Sequence, residues 1–387
     1  FWRILMRIRV GVIGVGNMGS AHCKWLEGHP QLVLTAVADV IEARRERWAA
    51  DESVPVFDSG QALIQSGACD AVIVATPHLS HVALASAALK AGLHVLVEKP
   101  IAAEIKDAEQ LLNVPTATGQ ILALMFNQRT NPAYGAIRDW VKNDTFGPLR
   151  RMNWVITDWF RAQSYFDSGD WRATWRGEGG GALLNQAPHQ LDLLCWMFGR
   201  PSQVFANCGF GRWHSIGVED EVSAVLSFEN GATGTFVTST GEAPGRNRLE
   251  VVLDRATLVY DTREDVILIE ETSIPISEAI QRNKAFQKPK TQLRRFEVNG
   301  QGGQHQAVLD NFGEAIVSGA ELIAPGADGL DSLMLANALT LSGAIEQKID
   351  LPLSALRYRR WLRRQQRAEK PRAQPVVAAL NDLSGSF

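Results

Sequence analysis

The sequence predicts an α/β protein with an N-terminal doubly wound parallel sheet and a C-terminal α+β domain built on a large open, mostly antiparallel sheet. Its 387 residues exceed the roughly 250 to 300 that one hydrophobic core commonly serves. The first third of the chain alternates short apolar strands with helix-length segments, whereas strands follow one another directly beyond about Gln128. We therefore place the first domain at residues 6–128, the second at residues 129–352 and a basic tail at residues 353–387.

In the first domain, a β-branched run predicts a strand at Arg7–Ile13. A glycine-rich turn follows it and leads into a helix at Ser20–Leu26. The other strand candidates are apolar and are separated by helix-length segments: Leu32–Ala38, Ala71–Ala75, His94–Val97 and Ile121–Phe126. Strands joined in this way pair in parallel through right-handed crossovers.

The second domain begins with a helix candidate at Pro132–Lys142, which ends before the chain breakers Gly147 and Pro148. The spacing around Glu229-Asn-Gly231 predicts a hairpin. Two helices are predicted after the last strand, at His305–Ser318 and Gly329–Gln347. The strand candidates are Leu149–Thr157, Gln203–Phe210, Val222–Phe228, Thr233–Thr238, Arg248–Leu253, Thr257–Asp261 and Val266–Glu270.

The tail between Arg357 and Arg372 contains eight basic residues and one acid. A patch for nucleic acid or an anionic surface is one interpretation of this charge. The apolar residues Leu356, Trp361 and Leu362 instead favour a solvated helix or arm that packs against the body or another subunit.

Composition excludes several classes of protein. Hydrophobic residues make up 45% of the chain and charged residues 21%, as in ordinary globular proteins. The 39 Lys and Arg residues nearly balance the 42 Asp and Glu residues, so no overall charge steers the molecule to a polyanion. We therefore expect no nucleic-acid partner.

The four cysteines, Cys23, Cys69, Cys195 and Cys208, are widely separated and form no C-x-x-C pair. This pattern fits neither a zinc finger nor a disulfide-stapled secreted domain, and the histidine spacing demands no metal. No apolar stretch approaches the roughly 18 residues of a membrane span. We expect a cytoplasmic protein with no metal and no membrane partner, and we interpret Phe1–Leu5 as an upstream extension or an expression remnant.

The turn after the first strand has the glycine spacing of a dinucleotide-binding Rossmann domain. Gly14 permits the tight turn, Gly16 lets the backbone approach a pyrophosphate, and Gly19 lets the helix pack on the strand. Asn17 and Met18 complete the turn. A purely structural glycine turn is the alternative, but the strand before it and the helix after it favour a cofactor site.

Asp39 ends the second strand, twenty residues after Gly19. A carboxylate there accepts hydrogen bonds from ribose hydroxyls and repels a 2'-phosphate, so NAD is the expected cofactor. Arg44 and Arg45 leave NADP possible, although we expect both side chains to face solvent.

Several motifs in order resemble the Gfo/Idh/MocA oxidoreductase family, which includes glucose–fructose oxidoreductase and inositol dehydrogenases. They are Gly14-Val-Gly-Asn-Met-Gly19, Ala75-Thr-Pro77 with His81, Glu98-Lys-Pro100, and Gly179-Gly-Gly181 followed by Asn185 and His189. The resemblance covers about Arg7 to Pro352. It implies an N-terminal Rossmann domain, a C-terminal domain with an open sheet, and a catalytic lysine at Lys99. It also implies that Thr76, Pro77, His81 and Glu98 line the cofactor side together with Lys99.

Lys99 follows a parallel strand, at the edge of the sheet where ligands bind in such folds. An ammonium there can stabilise alkoxide charge and relay a proton. The alternative is a surface lysine paired with Glu98.

The family commonly has an Asp-x-x-x-His pair where this chain has Asn185 and His189. If both lie on one helix, they share a face and the amide can touch the imidazole, with Asp192 nearby. An amide cannot supply the charge that raises imidazole basicity, although it can orient the ring or bind a substrate hydroxyl. Pro188 removes a backbone donor and can kink the helix. We interpret His189 as catalytic rather than as a core histidine, with Asn185 as its partner.

The segment from Thr157 to Gly181 is rich in Trp and Arg. Such side chains stack on sugar rings and bind hydroxyls, and we assign Trp171, Arg172 and Trp175 to the substrate, together with Asn185 and His189. An aromatic cluster on the back of the sheet, or a subunit contact, is the alternative.

These observations predict an NAD(P)-dependent dehydrogenase that oxidises a secondary hydroxyl of a pyranoside, anhydrosugar or inositol, with Lys99 and His189 in acid–base roles. One alternative is an NAD-dependent enzyme that cleaves glycosides through transient oxidation and elimination. Another is a regulator that binds NAD or sugar without turnover. The open sheet predicts a homodimer or homotetramer through its exposed face.

Overall fold

The computed structural model describes residues 7–49, 53–282 and 284–370. Phe1–Leu5 and the end of the basic tail, residues 371–387, lie outside the described residues. Within the described part the strands form one sheet of six strands and one of nine. No helix in this part is long and apolar enough to cross a membrane.

The first sheet has the order β3-β2-β1-β4-β5-β6, and all its strand pairs are parallel. This order reverses direction at β1, which is the switch point where a doubly wound sheet binds its ligand. The predicted parallel sheet is thus confirmed. Its strands are β1 (Ile8–Ile13), β2 (Leu32–Ala38), β3 (Val56–Phe57), β4 (Ala71–Val74), β5 (His94–Val97) and β6 (Leu122–Leu124).

Helices cover both faces of this sheet. The helices from its own segment of the chain are α1 (Asn17–Leu26), α2 (Glu42–Arg45), α3 (Gly60–Gln65), α4 (His78–Lys90) and α5 (Ile105–Leu112). A much later helix, Gln304–Ser318, also belongs to this core, because Val308, Leu309 and Phe312 are buried with Val10 and Val12 of β1. The segment assigned by sequence to the second domain therefore completes the core of the first.

The second sheet has the order β14-β13-β12-β11-β7-β10-β9-β8-β15 and is antiparallel except for the β7–β10 pair. The predicted hairpin is present, with Ser227 opposite Thr233. Its strands are β7 (Leu149–Ile156), β8 (Gln203–Phe210), β9 (Glu219–Ser227), β10 (Thr233–Ser239), β11 (Asn247–Leu253), β12 (Ala256–Asp261), β13 (Val266–Thr272), β14 (Thr291–Glu297) and β15 (Ile349–Asp350).

Strand β14 was not predicted from the sequence. All seven of its residues are exposed, so it lacks the alternation of apolar and polar residues that marks a half-buried strand. It lies at the edge of the sheet and pairs with β13 alone. Backbone pairing, rather than side-chain burial, places it there.

One face of the second sheet is covered by helices, and α12 (Gly329–Ile345) packs on β8 and on α9 (Pro188–Phe198). On the other face, Phe205 and Val225 lie opposite each other and are exposed. Assembly through that face stays a prediction. The helices that follow β6 are α6 (Pro132–Lys142), α7 (Gln163–Asp167), α8 (Ala182–Asn185), α9 (Pro188–Phe198), α10 (Ile276–Gln281), α11 (Gln304–Ser318), α12 (Gly329–Ile345) and α13 (Ala355–Ala368).

The described part of the basic tail forms α13, as its apolar residues predicted. Tyr358 and Leu362 are buried, and the Arg359 guanidinium contacts Glu104 and Asp107 beside α5. This helix packs against the body of the same chain, so its apolar stripe is accounted for without nucleic acid.

A buried ion pair joins the turn after β6, at the boundary between the two domains, to α9. Arg129, in the 3₁₀ turn Asn127–Thr130 after β6, donates from Nε and Nη2 to the two carboxylate oxygens of Asp192 at 2.8 and 2.7 Å. A third donor, Nη1, reaches Asp328 at 2.6 Å and the Ile323 carbonyl oxygen at 3.0 Å. Two planar hydrogen bonds in a dry site fix both the distance and the orientation of α9.

We predict that Asp192→Ala lowers the free energy of unfolding by about 3 kcal/mol, because it leaves a buried guanidinium without its main partner. Urea denaturation measures the loss. Asp331→Ala is the matched control, since the Arg200–Asp331 pair is 33% and 48% exposed and is expected to contribute at most about 1 kcal/mol. If the two variants lost the same free energy of unfolding, the buried Arg129–Asp192 pair would not stabilise the fold more than an exposed pair does.

Candidate functional site

The glycine turn at the carboxyl end of β1 excludes side chains for geometric reasons. Gly14 has φ +88°, and a Cβ atom built on it would lie 2.7 Å from the carbonyl oxygen of Ala75. A Cβ atom on Gly19 would lie 1.7 Å from the carbonyl oxygen of Gly14. Both glycines are therefore required for the turn and for the packing of α1 on the sheet.

Gly16 has a different surrounding. A Cβ atom built there meets only the guanidinium of Arg44, at 3.5 Å, so the space beside the start of α1 is open. No side chain caps this end of the helix, and its backbone N–H groups are available to an anion. The turn fits the pyrophosphate of a dinucleotide, with Asn17 and Met18 as the first helical residues.

Asp39 is buried at the end of β2, next to this turn. Its Oδ2 accepts a hydrogen bond from the Val15 backbone N–H at 2.9 Å, and its Oδ1 accepts one from Ile41 at 2.9 Å. The expectation that Arg44 and Arg45 face solvent is wrong. Arg44 Nη1 lies 3.5 Å from Asp39 Oδ2, and Arg45 Nη1 donates to the Asp39 carbonyl oxygen at 2.8 Å. Both turn back because the carboxylate and the carbonyl are close acceptors.

The loops after β4 and β5 are joined by His81. Its ring nitrogens lie 2.7 Å from the Thr76 carbonyl oxygen and 2.8 Å from that of Pro100. Because its exposed fraction is 0%, His81 positions these loops rather than contacting a cofactor, which corrects the predicted direct contact. Thr76 is half-buried and Pro77 is exposed, so these two remain available at the sheet edge.

Glu98 is buried beneath the same edge and pairs with a residue that the sequence analysis missed. Its Oε1 lies 2.7 Å from His22 Nε2 on α1, and its Oε2 accepts from the Lys99 backbone N–H at 3.2 Å. Burial alone would raise the pKa of Glu98, but His22, His305 and Lys99 lower this pKa to about 2. The ionised carboxylate therefore anchors the backbone of Lys99.

Lys99 links the two domains at the cleft. Its Nζ donates to the backbone carbonyl oxygen of Asn185 at 2.9 Å. Burial lowers the pKa of Lys99, Glu98 and Glu178 raise it, and Arg161 and Arg172 lower it further. An ammonium with a lowered pKa at the carboxyl end of a parallel strand is suited to bind a substrate oxygen and to exchange a proton.

Asn185 and His189 do not share a helix, which corrects the predicted geometry. Asn185 ends α8, and Pro188 begins α9 as its first residue, so the chain breaks between them. The Asn185 side chain accepts from the Tyr165 hydroxyl at 3.2 Å and donates to Glu178. It is therefore committed to partners other than the imidazole.

His189 lies at the start of α9, in the same electrostatic cluster as Lys99. Burial lowers its pKa well below the usual value, and Lys99 and His305 lower it further. Its Nδ1 is buried and has no hydrogen-bond partner among the residues the structure describes. The ring is therefore neutral near pH 7 and is not oriented by a carboxylate.

Glu178 is a second residue that the sequence analysis missed. It directly precedes the triple glycine, is 2% exposed, and accepts from the Ala173 backbone N–H at 2.6 Å. Burial raises its pKa to about 7, against the effects of Ala173, Asn185, Arg172 and Lys99. The one signal in the sequence that points to Glu178 is its position directly before the Gly179-Gly-Gly181 motif.

The aromatic and basic segment divides into two parts. Trp171 and Arg172 are half-buried, and Arg172 Nη1 donates to the Tyr165 hydroxyl at 2.9 Å while its guanidinium lies 4.5 Å from the Tyr165 and Trp171 rings. Trp175 is only 5% exposed and packs edge-on against Trp361 of α13, with ring centroids 5.2 Å apart. The assignment of Trp175 to substrate is therefore corrected, because its ring is used in packing.

Within the described residues, no group of three or more His, Cys, Asp and Glu side chains could hold a metal ion.

Comparison with known proteins gives consistent matches over both domains. Residues 8–126 match the family model described as oxidoreductase family, NAD-binding Rossmann fold, and residues 134–259 match a GFO/IDH/MocA C-terminal domain. The chain is 26% identical over 355 residues to inositol 2-dehydrogenase of Rhizobium meliloti (strain 1021), which covers 89% of this chain and 100% of that protein. It is 24% identical over 393 residues to levoglucosan dehydrogenase of Pseudarthrobacter phenanthrenivorans, covering 90% and 99%.

Among solved structures, the WlbA dehydrogenase from Bordetella pertussis, in complex with NADH and UDP-GlcNAcA, has the same fold. The TM-score is 0.75 at 24% identity, over 90% of this chain and 100% of that one.

We predict that Gly16→Ala weakens NADH binding at least about tenfold, because its methyl group enters the space where the backbone must approach the pyrophosphate. Calorimetric titration measures the affinity, and the melting temperature should not change. Gly135→Ala in α6 is the control, since a Cβ atom there meets nothing within 4 Å. Unchanged NADH affinity in Gly16→Ala would show that the dinucleotide does not cross this turn.

Proposed function

Because the chain belongs to the Gfo/Idh/MocA family of oxidoreductases, with an NAD-binding Rossmann fold, we propose that it oxidises a secondary hydroxyl on a sugar or cyclitol ring. The observation that carries this proposal is the position of Lys99 Nζ, 2.9 Å from the Asn185 carbonyl oxygen at the cleft. The two relatives named for inositol and levoglucosan support a polyhydroxylated ring as substrate.

A bound nicotinamide dinucleotide supplies the acceptor for the carbon-bound hydrogen, which leaves with its electron pair as the C–O bond becomes C=O. The protein must then take up the hydroxyl proton. His189 is neutral near pH 7 and can accept this proton, while the Lys99 ammonium stabilises the negative charge that develops on the oxygen. Reduction of a ketone uses the same groups in reverse.

Substrate recognition is assigned to the half-buried side chains around Lys99. The Arg172 guanidinium covers one face of the Trp171 ring, and we assign the other face to the C–H face of a sugar. Arg172 and Tyr165 supply donors for its hydroxyls. Asn185 presents its backbone carbonyl to Lys99, so its contribution to the substrate site runs through the main chain as well as the amide.

We predict that Lys99→Ala and His189→Ala each lower kcat for the best polyol by about 10²- to 10⁴-fold, the usual range for removal of an acid–base group. Stopped-flow measurement of NADH formation gives the rates, and NADH affinity should stay within a few-fold of the parent. Lys142→Ala, at an exposed position on α6, is the control. Parent-like rates in either site variant would remove that residue from the mechanism.

The same assay separates the alternatives. A protein that cleaves a glycoside while its NAD returns unreduced would favour transient oxidation with elimination. Binding of NAD and sugar without any hydride transfer would favour a regulator.

We predict that Asp39→Asn reduces the preference for NAD over NADP at least about tenfold, because it removes the charge that repels a 2'-phosphate. Arg44, 3.5 Å from the carboxylate, then becomes a partner for that phosphate. The ratio of kcat/KM with the two cofactors measures the change. An unchanged ratio would mean that Asp39 does not face the adenosine ribose.

A further inference from the structure

A buried carboxylate, that of Glu178, contacts the side chain of Asn185. The Asn185 side-chain N–H donates to Glu178 Oε1, and the Asn185 carbonyl oxygen accepts from Lys99 Nζ at 2.9 Å. Glu178 Oε2 accepts from the Ala173 backbone N–H at 2.6 Å, which fixes the carboxylate. One residue, Asn185, is thus held between an acid and a base from different parts of the chain.

We propose that Glu178 is a positioning residue for the proposed dehydrogenase: its carboxylate holds Asn185, whose backbone carbonyl oxygen holds the Lys99 ammonium, and its negative charge favours that ammonium. The inference rests on the proposed function and adds a residue that the Asp-x-x-x-His motif does not contain. The acidic group expected at position 185 is supplied instead from position 178.

The charges around Glu178 support this role. Lys99 and Arg172 lie on the cleft side and act on it as positive charges, while His78 of α4 approaches its backbone carbonyl oxygen at 3.3 Å through Nδ1. Glu219 of β9 is a second buried acid; burial and, to a smaller extent, the Glu178 charge raise its pKa to about 7.

Glu219 is already committed to backbone partners, whereas Glu178 contacts Asn185. Glu219 Oε1 accepts from the backbone N–H groups of Gly181 at 2.9 Å and Leu183 at 3.2 Å. The Tyr165 hydroxyl donates to Asn185 Oδ1 at 3.2 Å.

The direction of the effect follows from the sign of the charge. The Glu178 carboxylate raises the pKa of Lys99 and so favours the ammonium. Because burial places the pKa of Glu178 at about 7, this charge is present above that pH and is lost as the pH falls through it. A protonated Glu178 is a weaker acceptor for the Asn185 side-chain N–H and holds Asn185 less firmly. Activity should therefore fall on the acid side of about pH 7 in a one-proton step that belongs to Glu178.

The first experiment measures Lys99 directly and needs no turnover. The full-length parent, Glu178→Gln and the control Glu264→Gln are treated with N-hydroxysuccinimidyl acetate across a pH series, and acetylation of Lys99 is followed by mass spectrometry. Glu178→Gln should lower the pKa of Lys99 by about one unit, which makes acetylation about tenfold faster below that pKa. Glu264 is exposed, and its variant should match the parent. An unchanged Lys99 profile in Glu178→Gln overturns the proposal.

The second experiment exchanges the acid and the amide. Glu178→Gln should lower kcat/KM about 10- to 100-fold at pH 8 and lose the step near pH 7, whereas Glu178→Gln with Asn185→Asp should recover most of the activity. A purely structural role for Glu178 predicts no recovery in the double variant, and that result also overturns the proposal. If Glu178→Gln does not fold, Glu178→Asp keeps the charge and should retain the step near pH 7.

Failure of the proposed function gives a different pattern. A parent protein that transfers no hydride from any polyol, but whose Lys99 acetylation responds to Glu178→Gln, would refute the dehydrogenase and keep the coupling. A protein that oxidises a polyol, but whose Lys99 acetylation does not change in Glu178→Gln, would keep the dehydrogenase and refute the coupling.

Discussion

The Arg129–Asp192 ion pair is the constraint on which the geometry of the cleft depends. Arg129 follows the last strand of the parallel sheet, and Asp192 lies one turn after His189 on α9. The pair is bidentate and buried, so a shift of α9 relative to the sheet would leave one charge unpaired in a dry site. His189 and Lys99 come from different domains, and this pair holds α9, which carries His189, against the turn that follows the parallel sheet.

The charges at the cleft alternate from the parallel sheet outward. Ionised Glu98, held by His22, anchors the backbone of Lys99, while the Lys99 side chain reaches across to the carbonyl oxygen of Asn185. Beyond Asn185 lies Glu178, the next acid. Each positive group thus has a negative or polar neighbour in a site that is otherwise too buried to hold unpaired charge. His189 stays neutral for the same reason.

The parallel sheet, the open sheet and the glycine turn could be predicted because each depends on local patterns: apolar runs, strand spacing and positive-φ glycines. Strand β14 could not be predicted, because all its residues are exposed and apolar and polar residues do not alternate along it. The packing of α11 on the first sheet could not be predicted either, because it joins segments that are far apart in the sequence. The position of Lys99 could be predicted from its motif. The helix break before His189 could not, because a proline can either kink a helix or begin a new one, and here Pro188 begins α9. Trp175 was misassigned because composition cannot show which tryptophan faces α13 and which faces the cleft.

The departure at position 185 and the acid at position 178 are best understood as one feature. An aspartate at 185 would place a second carboxylate against that of Glu178, and two carboxylates in contact cannot both ionise near neutral pH. An amide removes this conflict, because its N–H donates to the Glu178 carboxylate while its oxygen accepts from the Tyr165 hydroxyl. Because Glu178 is buried against residue 185, an asparagine there leaves a single carboxylate in contact with this position. The motif has lost its acid at position 185, but the site still holds one at position 178.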